Sequence, residues 1–212
     1  MATSPRHSRN LGDRSRAQHR LEEVAYKLFC RKGINAVGTE ELIVSSGVAR
    51  MTLYRHYKSK DNLILSFLEL REKRWTIGWL KDEATRRATN SRARLLAIFD
   101  LFDEWFQTKD FRGCEFINVM IESKYGGRTH RAAAQKLTNI RSVLKNWAME
   151  ASLADTERFA VAWHILMKGA IITAQEGVKG AAIEAKRTAA LVLENWPKQK
   201  CVRKKINQQK AA

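Results

Sequence analysis

Apolar side chains recur at the spacing of an α-helix along almost the whole chain. Near the start, five of them follow the i, i+3, i+4, i+7 and i+8 positions that share one helix face. They are Leu21, Val24, Ala25, Leu28 and Phe29. We find no segment whose apolar and polar residues alternate as in a strand. The pattern therefore predicts an all-α protein with about nine helices.

Residues typical of helix ends divide this pattern into segments. Gly33 follows Arg31 and Lys32, and a glycine after cations is typical of a helix C-terminus. Thr39 precedes two glutamates and is predicted to cap a second helix. Ser59 and Asp155 are the predicted N-caps of two later helices.

Residues 39–60 are predicted to form two short helices joined by a tight turn. Gly47 suits a turn that needs positive φ, and the helix after it is predicted from Ala49 to His56. Leu42 and Leu53 are expected to face the first helix, which leaves the polar side chains of the 49–56 helix exposed. This is helix-turn-helix geometry, and the exposed donors match phosphates and base edges of DNA.

The charge of the chain agrees with such a partner. Its 212 residues are 44% hydrophobic and 29% charged, as in an ordinary globular protein. However, 39 basic residues face only 22 acidic ones, a net charge of +17 that attracts polyanions. The last 15 residues, 198–212, carry six basic and no acidic side chains. We expect residues 1–13 to be a flexible basic arm and residues 197–212 a flexible basic tail.

Several classes of protein do not fit the composition. Met1 to Arg9 has no apolar run, so we expect no secretory signal. The longest uncharged apolar stretch, Phe159 to Met167, has nine residues, whereas a membrane span needs about twenty. The three cysteines show no paired spacing. We therefore expect a cytoplasmic protein with no membrane contact, no metal site and no cofactor.

Residues 46–63, with the helix before them, closely resemble the DNA-binding domain of TetR-type bacterial transcriptional regulators. The most specific part is the run Thr52-Leu53-Tyr54 followed by His56-Tyr57 and Lys60. The resemblance extends from residue 14 to about residue 70. It implies a helix-turn-helix domain over residues 14–62 and a helical ligand-binding and dimerisation domain over residues 63–196.

The resemblance implies that the helix Ala49 to His56 lies in the major groove of double-stranded DNA. Its arginines and Met51 are expected at base edges or flanking phosphates, and the hydroxyl groups and Lys60 at phosphates. Glu40 departs from the family pattern, because members often carry a basic or neutral residue there. The predicted DNA-binding residues are Thr39, Arg50, Met51, Thr52, Tyr54, Arg55, His56, Tyr57 and Lys60.

The resemblance also implies that a small, largely apolar effector binds between the central helices of the second domain. Bulky residues there form a packed core by default, so each candidate has two interpretations. Asn118, for example, either faces a cavity or satisfies a neighbouring carbonyl group. The candidate ligand contacts, chosen by position and size, are Trp79, Phe102, Phe106, Phe116, Asn118, Met120, Trp147, Trp163, His164 and Met167.

A homodimer through the last two helices, 155–175 and 183–196, follows from the same resemblance. Small residues in both helices favour close helix approach. A two-fold dimer would place its recognition helices about 34–36 Å apart and read a palindromic operator. The implied function is a repressor that leaves its operator when the effector binds.

Two other functions stay open at this point. The basic ends also fit a ligand-independent architectural DNA-binding protein. A helical enzyme is a further alternative, but the five histidines show no HExxH spacing. GxSxG, Walker and GxGxxG motifs are also missing from the sequence. We therefore expect no enzyme activity.

Overall fold

A computed structural model describes residues 5–199 of the protein, and these residues form nine helical rods. In this range the β structure consists of one isolated bridge between Leu153 and Lys198. The predicted all-α class is confirmed. The first helices are α1 (Pro5–Lys32), α2 (Thr39–Ser46), α3 (Arg50–Tyr57) and α4 (Lys60–Arg71). Helix α4 continues without a break into a π-helical segment (Glu72–Lys81) and then α5 (Asp82–Arg87), so these three form one rod. The remaining helices are α6 (Ser91–Phe106), α7 (Glu115–Glu122), α8 (Arg128–Glu150), α9 (Thr156–Gln175) and α10 (Ala181–Asn195).

The first four helices pack as the helix-turn-helix pattern predicts. Helix α1 contacts α2, α3 and α4, and Leu21, Leu42 and Leu53 are fully buried between them. Gly47 has a φ of 62°, and its N–H donates to the carbonyl of Ile43 at 3.0 Å. Only a residue that tolerates positive φ makes this turn without strain, so the glycine sets the angle between α2 and α3.

Two of the three predicted N-caps are confirmed. The Ser59 hydroxyl accepts a hydrogen bond from the Asn62 N–H at 3.2 Å, and the Asp155 carboxylate accepts one from the Arg158 N–H at 3.3 Å. The predicted cap at Thr39 is wrong. Gly38 holds the N-cap position in an extended conformation, and Thr39 is already the first residue of α2.

The second half of the protein is a bundle built on α8. Helix α8 packs against α7 on one side and α9 on the other, while α10 packs against both α6 and α9. The buried apolar residues form one continuous core that runs from Leu21 to Leu193. The two halves of the protein therefore share an interior.

The predicted arm and tail differ from the structure where it describes them. Residues 5–13 belong to α1, so this part of the arm is helical. Residues 197–199 run along the loop before α9. There the Ala154 N–H donates to the Pro197 carbonyl and the Gln199 N–H to the Ser152 carbonyl, both at 2.8 Å. The rest of the two segments, 1–4 and 200–212, lies outside the described residues.

A buried ion pair joins the two halves. Arg71 at the end of α4 lies 2.6 Å from Glu115 at the start of α7, and the two side chains are only 12% and 10% exposed. Arg71 also donates to the hydroxyl group of Tyr26 in α1 at 2.9 Å. Burial lowers the pKa of Arg71, but the Glu115 carboxylate outweighs this effect and raises that pKa above its usual value. The guanidinium group therefore stays charged.

Among residues 5–199, the buried histidine of α9 has no such counter-ion. His164 is 4% exposed. Burial, together with the positive charges of Lys168 in α9 and Arg141 in α8, lowers the pKa of His164 to about 3. The imidazole is therefore neutral in the folded protein at pH 7.

We expect Arg71→Met to lower the free energy of unfolding by about 3–5 kcal/mol, because it leaves the Glu115 carboxylate buried without its partner. Urea denaturation at pH 7 measures this change. Arg187→Met is the matched control, since the Arg187–Glu184 pair is 71% and 70% exposed and should contribute less than about 1 kcal/mol. Equal losses in the two variants would contradict the structural role of Arg71.

We expect His164 to make the protein less stable as the pH falls from 6.5 towards 3. In that range the unfolded chain binds a proton at His164 and the folded protein does not. His164→Gln should therefore shrink the difference in unfolding free energy between pH 7 and pH 5 by about 2 kcal/mol. Urea titrations at the two pH values give this difference, with His19→Gln, at an exposed histidine, as the control. An unchanged difference in His164→Gln would refute the prediction.

Candidate nucleic-acid interface

Helix α3 turns one face to the core and leaves the other open. Leu53 is fully buried against the neighbouring helices. Four other side chains, at i, i+1, i+4 and i+5, share the exposed face. They are Arg50, Met51, Tyr54 and Arg55. Met51 is 74% exposed and Tyr54 41%, so this open face presents guanidinium, phenol and thioether groups to an incoming ligand.

Glu40 and Arg50 form an ion pair between the first turns of α2 and α3. Both side chains stay largely in solvent, 65% and 60% exposed. The carboxylate that departs from the family pattern therefore contacts one of the predicted DNA-binding cations. It limits where the Arg50 guanidinium group can lie, because the two groups attract one another.

Three predicted DNA-binding residues point towards the interior. Thr52 is only 8% exposed. The hydroxyl group of Tyr57 donates to Glu22 in α1 at 2.5 Å, and this contact and burial make Tyr57 a packing residue in the structure. His56 is half-buried, and its Nε2 atom has no hydrogen-bond partner among the described residues. The structure thus removes Tyr57 from the set of exposed donors.

Thr39 and Lys60 each begin a helix beside α3. Thr39 is the first residue of α2, and Lys60 the first of α4. Both are half-buried. Backbone N–H groups without intrahelical partners face outwards at such positions and favour an anion. The two residues therefore lie where a phosphate group can be bound.

The sequence pattern did not single out three further cations at or beside this surface. Arg20 of α1 is exposed and lines the same groove as Arg55, a groove of about 260 Å³ beside Gly47. Lys58 is exposed directly after α3, with a φ of 61°. Arg16, four residues before Arg20 on the same helix, is also exposed. Residues four apart share one face of a helix, so the spacing of Arg16 and Arg20 could have predicted a basic face on α1.

Four of the ten predicted ligand contacts lie together in the aromatic interior. The ring of Trp75 lies 5.4 Å from that of Trp79, 6.3 Å from Phe102 and 6.4 Å from Phe116, measured between centroids. Phe106 lies 5.5 Å from Phe102. Trp75, Phe102 and Phe116 are buried in the core, and Trp79 and Phe106 are partly buried against it. The indole N–H of Trp75 has no acceptor within the described part of the chain.

The predicted contacts on α9 are also buried. Trp163 is fully buried and Met167 is 1% exposed. Phe99 links Trp163 to the other rings, with centroid distances of 5.7 Å to Trp163 and 6.2 Å to Phe102. The indole N–H of Trp163, like that of Trp75, lacks an acceptor in residues 5–199.

The remaining predicted contacts are more scattered. The amide group of Asn118 donates to the Arg112 carbonyl at 3.1 Å, which is the structural alternative considered for this residue. Met120 is half-buried in α7, and Trp147 is 4% exposed in α8. Phe106 lines an open cleft of about 570 Å³ between α6 and the turn before α10.

The described range contains neither a candidate metal site nor a candidate membrane span. In residues 5–199 we find no group of three or more histidine, cysteine, aspartate or glutamate side chains that could bind a metal ion. None of the helices described combines the length and apolar character needed to cross a bilayer.

The N-terminal helices match a known family. Residues 22–67 match the model of bacterial regulatory proteins of the tetR family. The HTH-type transcriptional regulator QacR of Staphylococcus aureus (strain Mu50) is 31% identical over 83 residues, which are 39% of this chain and 44% of QacR. An HTH-type regulator of S. aureus strain USA300 is 35% identical over 51 residues, 24% of this chain and 28% of its own. The chain thus spans less than half the length of these relatives.

Solved structures extend the similarity to the whole fold. SCO4454, a TetR-family transcriptional regulator from Streptomyces coelicolor, has a TM-score of 0.75 at 23% identity, covering 85% of this chain and 95% of that one. A putative TetR regulator from Streptomyces avermitilis has a TM-score of 0.72 at 23% identity, with coverages of 84% and 98%. The chain thus resembles the tetR family of bacterial regulatory proteins over residues 22–67, and it shares the fold of these solved regulators over most of its length.

Proposed function

We propose that this protein is a transcriptional repressor that binds a palindromic operator as a homodimer in the bacterial cytoplasm and leaves it when a small molecule binds. The observation that carries the proposal is the open face of α3. Arg50, Met51, Tyr54 and Arg55 stand on one side of a short helix whose other side is fixed by the core. A helix so mounted fits the major groove.

The groups at this surface fall into two sets, one suited to base edges and one suited to phosphate groups. Arg50 and Arg55 have the planar donor geometry that recognises guanine edges. Thr39 and Lys60, at helix N-termini, suit phosphate groups, which position a protein without reading sequence. Glu40 restricts Arg50 through their ion pair and can itself accept from a cytosine amino group.

The aromatic interior supports a ligand-controlled release. One continuous rod, residues 60–87, runs from the DNA-facing Lys60 to Trp75 and Trp79 in the aromatic cluster. The unpartnered indole N–H groups of Trp75 and Trp163 would be satisfied by an acceptor on a bound molecule. A ligand that binds one dimer conformation better than the other shifts the rod and weakens operator binding.

The surfaces of α9 and α10 support the dimer. Four alanines of α9 and α10 are buried inside the protomer and are therefore not open to a partner helix. They are Ala160, Ala170, Ala182 and Ala189. The open side carries larger apolar residues, which a second copy would cover in a two-fold contact. They are Val161, Ile165, Ile172, Ile183 and Leu191.

We expect the purified protein to enrich a palindromic sequence from a random pool of double-stranded DNA at near-physiological salt. The two half-sites should lie about one helical turn apart, because a two-fold dimer presents its α3 helices with that spacing. Sequencing of successive rounds measures the enrichment. A pool that stays random while DNA is still retained would instead indicate an architectural DNA-binding protein.

Two variants on the enriched operator separate base contacts from phosphate contacts. Arg55→Ala should reduce the preference for operator over scrambled DNA by roughly 1–3 kcal/mol. Lys60→Ala should weaken both DNAs equally and lower the salt slope by about one unit. Lys179→Ala, at an exposed lysine remote in sequence from α3, is the control and should change neither. Equal losses of preference in the first two variants would refute this division.

We expect the protein to sediment as a dimer and Ile165→Glu to convert it to a monomer, because the variant places a charge in the apolar contact of α9. Analytical ultracentrifugation at micromolar concentration reports the mass. Ile121→Glu is the matched control: Ile121 is 72% exposed, against 62% for Ile165, but it lies on α7. A monomeric parent protein, or dissociation by both variants, would rule out an interface through α9 and α10.

A further inference from the structure

A cleft of about 500 Å³ opens at the junction of the two halves, and none of its lining residues is among the candidate ligand contacts considered above. One wall is α1, which contributes Tyr26, Lys27 and Arg31. The opposite wall is the C-terminal end of α6, which contributes Trp105, and the α6–α7 connection, which contributes Arg112. The volume lies within the range of about 300–1,000 Å³ that is typical of small-molecule sites.

The charged side chains on the floor of this junction cleft already pair with each other. Arg71 and Glu115 lie there, 2.6 Å apart, and Tyr26 accepts a further hydrogen bond from Arg71. Because the pair is neutral as a whole, the floor contributes no net charge. A ligand that enters the cleft is therefore selected by the rim.

The rim is positively charged. Lys27 and Arg31 lie four residues apart on one face of α1, and both side chains are exposed. Neither forms an ion pair with another residue in the described range. Arg112 stands across the cleft and donates to the carbonyl groups of Lys109 and Phe111.

Asp110 is the one acidic side chain in the described range that faces these three cations at the rim, so the rim keeps an excess of positive charge. Nothing else among the lining residues of the rim carries negative charge, and Thr108 adds only a hydroxyl group. The rim therefore attracts an anion.

The wall beside the cations is aromatic. Trp105 is half-buried and held edge-on by Phe111, with 5.0 Å between ring centroids. Tyr26 lies on the facing helix, and its ring is held by Phe67 at 5.5 Å. Rings that are fixed by their neighbours offer preformed surface to a planar apolar group. The cleft thus combines aromatic walls with an electropositive rim.

We propose that the junction cleft is a second effector site, which binds small aromatic anions such as aromatic carboxylates or sulfonates. The ring system of the ligand lies against Trp105 and Tyr26, and its acidic group lies at Lys27, Arg31 and Arg112. The site differs from the interior pocket proposed for an apolar effector. It bridges the helix that supports α2 and α3 to the second half of the protein, so an occupant restrains α1 directly.

The test compares two fluorescent probes that differ by one acidic group: 8-anilinonaphthalene-1-sulfonate and the uncharged N-phenyl-1-naphthylamine. We expect the sulfonate to bind the full-length protein, and Lys27→Gln/Arg31→Gln to raise its dissociation constant by about ten-fold or more. The uncharged probe should lose less than about two-fold in the same variant. Fluorescence titration without DNA gives the four constants.

Lys179→Gln is the matched control, because Lys179 lines the cleft between α6 and α10 and not the junction cleft. It should leave the binding of both probes unchanged. A thermal unfolding midpoint equal to that of the parent shows that the double variant is folded. Unchanged sulfonate binding in the folded double variant, or an equal loss in the Lys179→Gln control, overturns the proposal. The titration involves no DNA, so its outcome is independent of the operator selection.

Discussion

The buried ion pair between Arg71 and Glu115 is the contact on which the relation between the two halves depends. It joins α4 to α7, and through the hydroxyl group of Tyr26 it also holds α1. A buried charge without its partner is costly, so a separation of α4 from α7 is strongly unfavourable. Because α1 supports α2 and α3, the place of the open α3 face in the molecule follows from this pair.

The α3 surface shows how a small unit can be rigid and still present polar groups. The buried side chains of Leu53 and Val48 hold α3 against the core, and a hydrogen bond from the Tyr57 hydroxyl to Glu22 fixes the end of the helix. The fixed backbone of α3 favours recognition, because little backbone freedom is lost on binding. Glu40 also restricts Arg50 through their ion pair.

Local signals predicted the fold well and the site in part. The turn at Gly47 and the caps at Ser59 and Asp155 appear as expected, because each depends on the conformational preference of one residue and its near neighbours. The cap at Thr39 failed by one residue, since Gly38 already takes the extended conformation. The exposed α3 residues were foreseen, but the inward direction of Tyr57 was not, because its partner Glu22 lies 35 residues earlier.

The sequence by itself determined the helical class, the helix-turn-helix and the basic character, because periodicity, turn residues and charge are properties of adjacent positions. The tertiary structure decided those features that require contacts between segments far apart in the sequence. It turned residues 72–81 into a π-helical segment in the middle of the rod that runs from residue 60 to residue 87. It also brought Lys27 and Arg31 opposite Arg112, more than 80 residues later, to form the junction cleft. Such long-range contacts depend on packing across the whole core, and no local sequence pattern encodes that packing.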